Sequence, residues 1–168
     1  MMSRSSWSVP PSPDPTEAVE ASPFAERLAP LALARLTGIA EATVFAPGET
    51  ILREGSPTPF LGVVLAGRVA LRLHVPERGA QTLFTVEPGE LLGWSAVVAP
   101  YRSTADAVAL EQTDLITFEA AALRALIEAD RGLAADVLQL VVDGLSERLT
   151  LSWHQRLDLF GGIGPVPW

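Results

Sequence analysis

Hydrophobic and polar residues alternate in the middle of the chain and follow a helical period on either side of it. Between Thr43 and Phe118, short apolar or β-branched runs are separated by glycine and proline, and residues 68–75 alternate as a half-buried strand does. Arg78-Gly79 predicts a turn back into a second strand at residues 82–86, which Pro88-Gly89 then ends. Many short strands joined by turns predict an antiparallel, jelly-roll-like β-roll.

Helical periodicity flanks this strand region. After Pro23, apolar residues from Leu28 to Ile39 recur at helical spacing, and Pro30 divides them between two short helices. After Phe118 the alternation stops, and a helix leads through residues 130–132 into a longer one. The predicted fold class is therefore α+β, with short N-terminal helices, the β-roll and a long C-terminal helix.

The long helix carries two apolar flanks. One flank can pack on the roll, whereas the other would stay exposed on a monomer, which is the usual mark of an interface. We therefore expect a homodimer through the helix at Leu133–Leu157. A stripe with four-residue spacing comprises Leu133, Val137, Val141, Leu145, Leu149 and Trp153, and the second flank adds Leu138, Val142 and Leu151.

Length and composition predict one domain with two tails. The chain has 168 residues, of which 48% are hydrophobic, enough for one core at residues 24–157. Residues 1–23 are rich in Ser and Pro without an apolar period, which predicts a disordered leader, and the Gly- and Pro-rich residues 158–168 predict a flexible tail. There is no signal-peptide core and no run of about eighteen apolar residues, so we expect no membrane partner and a cytoplasmic location.

Charge and residue counts argue against several classes of function. Lys and Arg number 12 against 20 Asp and Glu, and a net charge of -8 repels nucleic acid. There is no cysteine, and His74 and His154 are too few and too far apart for a metal site. Ser95 lacks the second glycine of a nucleophile elbow and a histidine partner. We expect no enzymatic activity, no metal and no nucleic-acid partner.

One segment has the residue types that bind a sugar phosphate. Gly89, Glu90 and Leu91 follow Pro88, and Arg102, Ser103 and Thr104 come shortly afterwards. A guanidinium and turn amides can bind a phosphate, whereas a carboxylate repels phosphate but accepts hydrogen bonds from ribose hydroxyls. The segment therefore predicts a single site for a sugar phosphate.

With Pro47-Gly48-Glu49, Glu54-Gly55 and residues 67–71 upstream, this segment resembles the cyclic nucleotide-binding domain of the catabolite-activator and kinase regulatory-subunit superfamily. The resemblance covers roughly residues 24–157. It implies that Glu90 takes the ribose hydroxyl and that Arg102 with the following amide takes the cyclic phosphate. It also implies that Thr150 and Trp153 on the long helix contact the base, although Trp153 fits a core or dimer contact as well. Cyclic AMP is favoured over cyclic GMP as the ligand.

The activator branch of this superfamily continues into a DNA-reading helix-turn-helix, for which too few residues and too little positive charge follow the long helix here. Two functions remain. The first is a cyclic-nucleotide sensor that relays binding through the joint at residues 130–132 to an unidentified effector protein. The alternative is a scaffold or interaction domain that keeps the roll and the dimer helix and binds no nucleotide.

Overall fold

The computed structural model describes residues 14–22 and 24–160, with side chains described up to residue 150. Two helices and a 3₁₀ turn precede the strands: α1 at Pro15–Glu20, the 3₁₀ turn at Ala25–Arg27 and α2 at Pro30–Thr37. Pro30 is in the first turn of α2, so the proline starts a helix and separates it from the preceding turn, as its position in the sequence predicts.

The predicted disordered leader at residues 1–23 is wrong for its last third, because α1 lies inside it. Asp14 caps this helix, since its Oδ1 accepts a hydrogen bond from the Thr16 amide at 2.8 Å, and Pro15 occupies the first turn. Val19 is only 1% exposed and belongs to the hydrophobic core. Pro15 belongs to the proline-rich composition that predicts disorder, but it begins α1. The buried side chain of Val19 holds this helix on the core. Residues 1–13 and 161–168, and with them most of the predicted leader and tail, lie outside the described residues.

In the part of the chain that the structure describes, eight antiparallel strands form two four-stranded sheets, which confirms the predicted α+β fold with an antiparallel β-roll. One sheet has the order β1-β8-β3-β6 and the other has the order β2-β7-β4-β5. The strands are β1 Ala40–Phe45, β2 Thr50–Leu52, β3 Phe60–Ala66, β4 Val69–Val75, β5 Gly79–Val86, β6 Leu91–Leu92, β7 Asp106–Ala109 and β8 Thr113–Glu119.

The sequence correctly predicts the hairpin of β4 and β5. Val75 pairs with Gly79 at its tip, and Gly79 has the positive φ of 70° that this tight turn requires. The core of the first sheet is closed by the N-terminal segment, because the ring of Phe24 stacks on the ring of Phe118 in β8 with 5.7 Å between the ring centres. Both rings are buried, so the residues before the first strand are part of the domain.

Two helices follow β8: α3 at Ala120–Ala129 and α4 at Arg131–Phe160. Their joint falls where the sequence predicts it, and Asp130 forms it. Asp130 Oδ1 accepts hydrogen bonds from the Gly132 amide at 2.8 Å and the Leu133 amide at 3.1 Å, and its Oδ2 pairs with Arg35 at 2.5 Å. These contacts, the Leu133 amide foremost, lower the pKa of Asp130. Asp130 therefore ends one helix, caps the next and ties both to α2.

The division of α4 between core and solvent differs from the predicted stripe. Its first turns bury Leu133, Val137 and Leu140 in the hydrophobic core that α2, α3 and the first sheet share, and Val141 is buried as well. Further along, Leu145 and Leu149, which continue the same four-residue spacing, are exposed together with Leu138 and Val142. The stripe therefore leaves the core after Val141. We call Leu138, Val142, Leu145 and Leu149 the exposed stripe.

Candidate ligand pocket

Two adjoining cavities lie between the second sheet and α4. The smaller one, the inner pocket, has a volume of about 30 Å³, and the larger one, the outer chamber, about 370 Å³. Five residues line both cavities, so the cavities form one continuous site. The shared residues are Leu71, Trp94, Thr104, Ala105 and Arg148.

The floor of the inner pocket is a sharp turn that only glycine can begin. Gly93 has φ of 76°, and a Cβ at this position would come within 2.5 Å of the Phe60 carbonyl oxygen. The turn continues as a 3₁₀ turn at Trp94–Ala96, closed by a hydrogen bond from the Ala96 amide to the Gly93 carbonyl at 2.9 Å. The backbone therefore presents Trp94 and Ser95 to the pocket in a fixed orientation.

The opposite wall consists of Ser103 and Thr104, just before β7. Ser103 is buried, and its backbone exchanges hydrogen bonds with the loop before β3, through the Ser56 carbonyl at 2.9 Å and the Gly55 amide at 2.8 Å. Its Oγ lies 2.9 Å from Thr58 Oγ1. Thr104 is exposed to the outer chamber. These hydroxyls and the nearby amides are groups that can hydrogen-bond an anion.

Arg102 precedes this wall but lies outside the lining of both cavities. Its side chain is exposed, and its Nη1 donates a hydrogen bond to the Gly55 carbonyl at 2.6 Å. This acceptor is neutral, and among the residues with described side chains no carboxylate forms an ion pair with Arg102.

Gly89, Glu90 and Leu91 line a different cavity. Gly89 has φ of 89° and its amide donates to the Val64 carbonyl at 2.7 Å, while Glu90 Oε2 accepts a hydrogen bond from the Glu87 amide at 2.8 Å. Glu90 thus closes its own turn. The cavity beside it, which we call the α4 groove, is lined by these three residues and by α4. The structure therefore brings Ser103 and Thr104 together with Gly93 and Trp94, and does not bring Glu90 and Arg102 into one cavity.

Arg148 on α4 connects the three cavities, because it lines the inner pocket, the outer chamber and the α4 groove. Its Nη2 donates a hydrogen bond to the Leu91 carbonyl. Burial lowers the pKa of the Arg148 guanidinium, and the nearby charges of Glu90 and Glu147 act in the opposite direction. Among the residues with described side chains, Arg148 has no carboxylate oxygen within the 4.0 Å of an ion pair.

Arg148 is not among the site residues predicted above, although the sequence contains a signal for it. The residue lies between Leu145 and Leu149, so a helix that buries part of this face places a guanidinium beside apolar side chains. A cation flanked in this way on an apolar helix face indicates a buried anion site or a buried ion pair.

The two predicted base contacts lie further along α4. Thr150 is exposed, its Oγ1 donates to the Ser146 carbonyl at 3.0 Å, and it lines a shallow cavity with Glu90, Ser146 and Glu147 rather than the inner pocket. The side chain of Trp153 lies outside the described residues. Within the described part of the chain, no group of three His, Cys, Asp or Glu residues could hold a metal ion.

The sequence and the fold match a known family. The family model of the cyclic nucleotide-binding domain matches residues 42–130, more than half of the chain. The chain therefore belongs to the cyclic nucleotide-binding domain family. The matched segment begins within β1, contains the other seven strands, Gly93, Ser103 and α3, and ends at Asp130.

Individual relatives agree with this assignment. The chain is 27% identical over 130 residues to a CRP-like cAMP-activated global transcriptional regulator of Mycobacterium tuberculosis, covering 77% of this chain but 56% of that regulator. The catabolite activator protein of Thermus thermophilus is similar in structure, with a TM-score of 0.63, 26% identity, and 83% of this chain and 63% of that chain covered. A cyclic nucleotide-binding domain from Methylobacillus flagellatus shares the fold with a TM-score of 0.71 at 22% identity, over 92% of this chain and 85% of that one.

Helices long and apolar enough to cross a membrane do not occur among the residues that the structure describes.

Proposed function

We propose that this chain is a regulatory module that binds a cyclic nucleotide between the roll and α4 and relays the event through α4 to a partner protein. The observation that carries the proposal is Arg148, a half-buried cation on α4 that lines the inner pocket together with Ser103 and Thr104. A partly desolvated guanidinium that has no ion-paired carboxylate among the described side chains favours an anionic ligand, which would supply the partner charge. Family membership supports a cyclic nucleotide as that anion.

The proposed roles of the residues follow from their positions. The cyclic phosphate is held by Ser103, Thr104 and Arg148, and Arg102 leaves the neutral Gly55 carbonyl to join them. The base occupies the outer chamber, whose lining is mainly apolar. Glu90 positions Arg148 electrostatically from the α4 groove. Cyclic AMP is the preferred ligand in this proposal, because the Mycobacterium relative is named for its activation by cAMP.

The relay follows from the location of Arg148 on a helix. A ligand shifts a conformational equilibrium only through contacts that differ between two states. A phosphate bound by both Ser103 and Arg148 would join the roll to α4. Ligand binding would therefore favour one position of α4 relative to the roll. The exposed stripe lies on the same helix and serves as the homodimer contact in this proposal, because its four side chains form an unpartnered apolar face. The proposed site of action is the cytoplasm, as for transcriptional regulators in bacteria.

Calorimetric titration of the full chain with cyclic AMP and cyclic GMP tests the proposal. Arg148→Met and Arg102→Ala should each weaken cyclic AMP by roughly tenfold to a hundredfold, since each removes a charge-assisted hydrogen bond of about 1.5–3 kcal/mol. Glu90→Gln should reduce the affinity for cyclic AMP by a smaller factor, because Glu90 acts on the ligand only through Arg148. Arg78→Met makes the same chemical change in the β4–β5 turn and should leave affinity unaltered.

The absence of saturable heat with either nucleotide up to millimolar concentration would refute nucleotide binding. The exposed stripe would then favour the alternative function, a dimerising scaffold that retains the roll for assembly.

A further inference from the structure

The outer chamber is apolar except at one end. Seven large apolar side chains line it: Leu71 and Leu73 of β4, Leu83 and Phe84 of β5, Leu145 and Leu149 of α4, and Trp94. Its polar side chains are Thr104 and Arg148, and no carboxylate is among its lining residues with described side chains. A volume of about 370 Å³ falls in the range of about 300–1,000 Å³ that is typical of small-molecule sites.

This lining is a poor match for the ribose of a nucleotide and a good match for an apolar ring. A ribose hydroxyl needs an acceptor, and the nearest predicted one, Glu90, lies in the α4 groove with its carboxylate bonded to the Glu87 amide. Leucine, phenylalanine and tryptophan side chains, by contrast, pack well on an aromatic ring. The chamber therefore selects for a ligand whose neutral part has no hydroxyl groups to satisfy.

Arg148 defines the charged part of that ligand. Its guanidinium lies where the chamber meets the inner pocket, and it presents a planar fork of donors that matches a carboxylate in two parallel hydrogen bonds. The only hydrogen bond of this side chain among the described residues is the one to the neutral Leu91 carbonyl, so donors remain for a ligand. The chamber therefore fits a ligand that has an apolar body and a single anionic group at one end.

We propose that the outer chamber binds aryl carboxylates, with the aromatic ring between β4, β5 and α4 and the carboxylate on Arg148. The proposal rests on the proposed function only in taking this pocket as the ligand pocket of the module, and it adds a second class of ligand to it. Leu145 and Leu149 line the chamber and also belong to the exposed stripe. An aryl carboxylate would therefore contact the same helix face that the proposed dimer uses.

Calorimetry of the full chain with 1-naphthoate and with its uncharged isostere 1-naphthamide tests the charge requirement. We expect saturable binding of naphthoate and at least tenfold weaker binding of naphthamide. Arg148→Met should abolish the difference between the two compounds. Equal affinity for both compounds, or an unchanged preference in Arg148→Met, would overturn the proposal.

A second series keeps the test independent of any structural effect at Arg148. Leu83 is an exposed lining residue, so Leu83→Asp and Leu83→Lys place opposite charges at the chamber mouth without emptying the core. Naphthoate affinity should fall about threefold or more with Asp and rise with Lys, as expected for partly screened charges. Leu110→Asp and Leu110→Lys, at an equally exposed leucine that does not line the chamber, should have no effect. The same response at both positions would refute binding in the chamber.

Cyclic AMP titrated in parallel separates this inference from the proposed function. Binding of naphthoate without binding of cyclic AMP would support the chamber and refute the nucleotide. Binding of cyclic AMP without binding of naphthoate would support the proposed function and refute the aryl carboxylate site.

Discussion

The guanidinium of Arg124 in α3 lies over the ring of Tyr101, 4.7 Å from its centre, and its Nη1 donates a hydrogen bond to the Ala96 carbonyl at 2.8 Å. Ala96 ends the turn that begins at Gly93, and Tyr101 precedes the wall that carries Ser103. One side chain of α3 therefore holds both ends of the loop that connects the two walls of the inner pocket. In the proposed relay, a ligand that displaces this loop would act on α3 and, through Asp130, on α4.

The first prediction concerns this contact. Arg124→Met should lower the free energy of unfolding by about 1–3 kcal/mol, since it removes a cation–π contact of about 0.5–1 kcal/mol and a charged hydrogen bond of about 1.5 kcal/mol or more. Urea denaturation measures the change. Tyr101→Phe keeps the aromatic ring and should match the wild type, whereas Tyr101→Leu should lose part of the stability. Wild-type stability in Arg124→Met would show that the contact contributes nothing.

The second prediction concerns the turn at Gly93. Gly93→Ala should destabilise the domain by about 3 kcal/mol or more, because a Cβ would meet the Phe60 carbonyl oxygen at 2.5 Å in addition to the strain of a positive φ. Gly48→Ala is the matched control, since Gly48 has φ of 81° with no atom within 4 Å of its added Cβ. It should cost only about 1–2 kcal/mol. Thermal or urea unfolding compares the two variants, and equal losses would contradict the steric argument.

The third prediction separates the fold from self-association. Val142 is 53% exposed on α4, whereas its neighbour Val141 is only 3% exposed. Val142→Glu should yield a folded monomer, because it places a charge in the exposed stripe. Val141→Glu should unfold the domain, since burying an unpaired carboxylate costs several kcal/mol. Light scattering and circular dichroism distinguish the two results. If the wild-type protein is monomeric at high concentration, the proposed dimer is refuted.

The fourth prediction concerns pH. Hydrogen bonds from the Leu133 and Gly132 amides hold the pKa of Asp130 below its ordinary value of 3.8. A depressed folded-state pKa adds stability that is complete above the unfolded-state pKa and is lost as the pH falls towards the folded-state pKa. Asp130→Ala should therefore be less stable than the wild type at pH 7, and the gap should narrow below about pH 4. Urea midpoints at several pH values measure this gap.

The control variant, Glu26→Ala on the 3₁₀ turn, removes an exposed carboxylate elsewhere. Its stability at pH 7 should differ little from that of the wild type. A gap between wild type and Asp130→Ala that stays constant from pH 7 to pH 3 would contradict the assigned role of Asp130.

The roll and the helix joint could be predicted because local patterns determine them. The alternation at residues 68–75 sets the faces of β4, and the Asp-Arg-Gly sequence at residues 130–132 supplies the cap that starts α4. Helix α1 was missed although its signal is also local. Asp14 and Pro15 are a cap and a first-turn proline, but the surrounding serines and prolines obscured them.

The composition of the pocket could not be predicted, because it depends on contacts between distant segments. Arg148 reaches the Leu91 carbonyl across 57 residues, and no local periodicity encodes that pairing. Glu90 and Ser103 are close in sequence, yet the reversal of the chain at Gly93 sends them to different cavities. The assignment of Glu90 to the ribose remains a prediction that its observed turn contact does not favour.

The central position of β8 affects how the protein is made. This strand pairs with both β1 and β3, and its partner for Ala40 is Phe118, more than seventy residues later. Such distant pairings slow folding to the range of milliseconds to seconds. On a ribosome that adds about 5–20 residues per second, β3 waits roughly 3–12 s before β8 emerges. During that interval the apolar run from Leu61 to Val64 is an uncovered strand edge, so aggregation of nascent chains, rather than unfolding of the finished domain, is the point at which this architecture is most vulnerable.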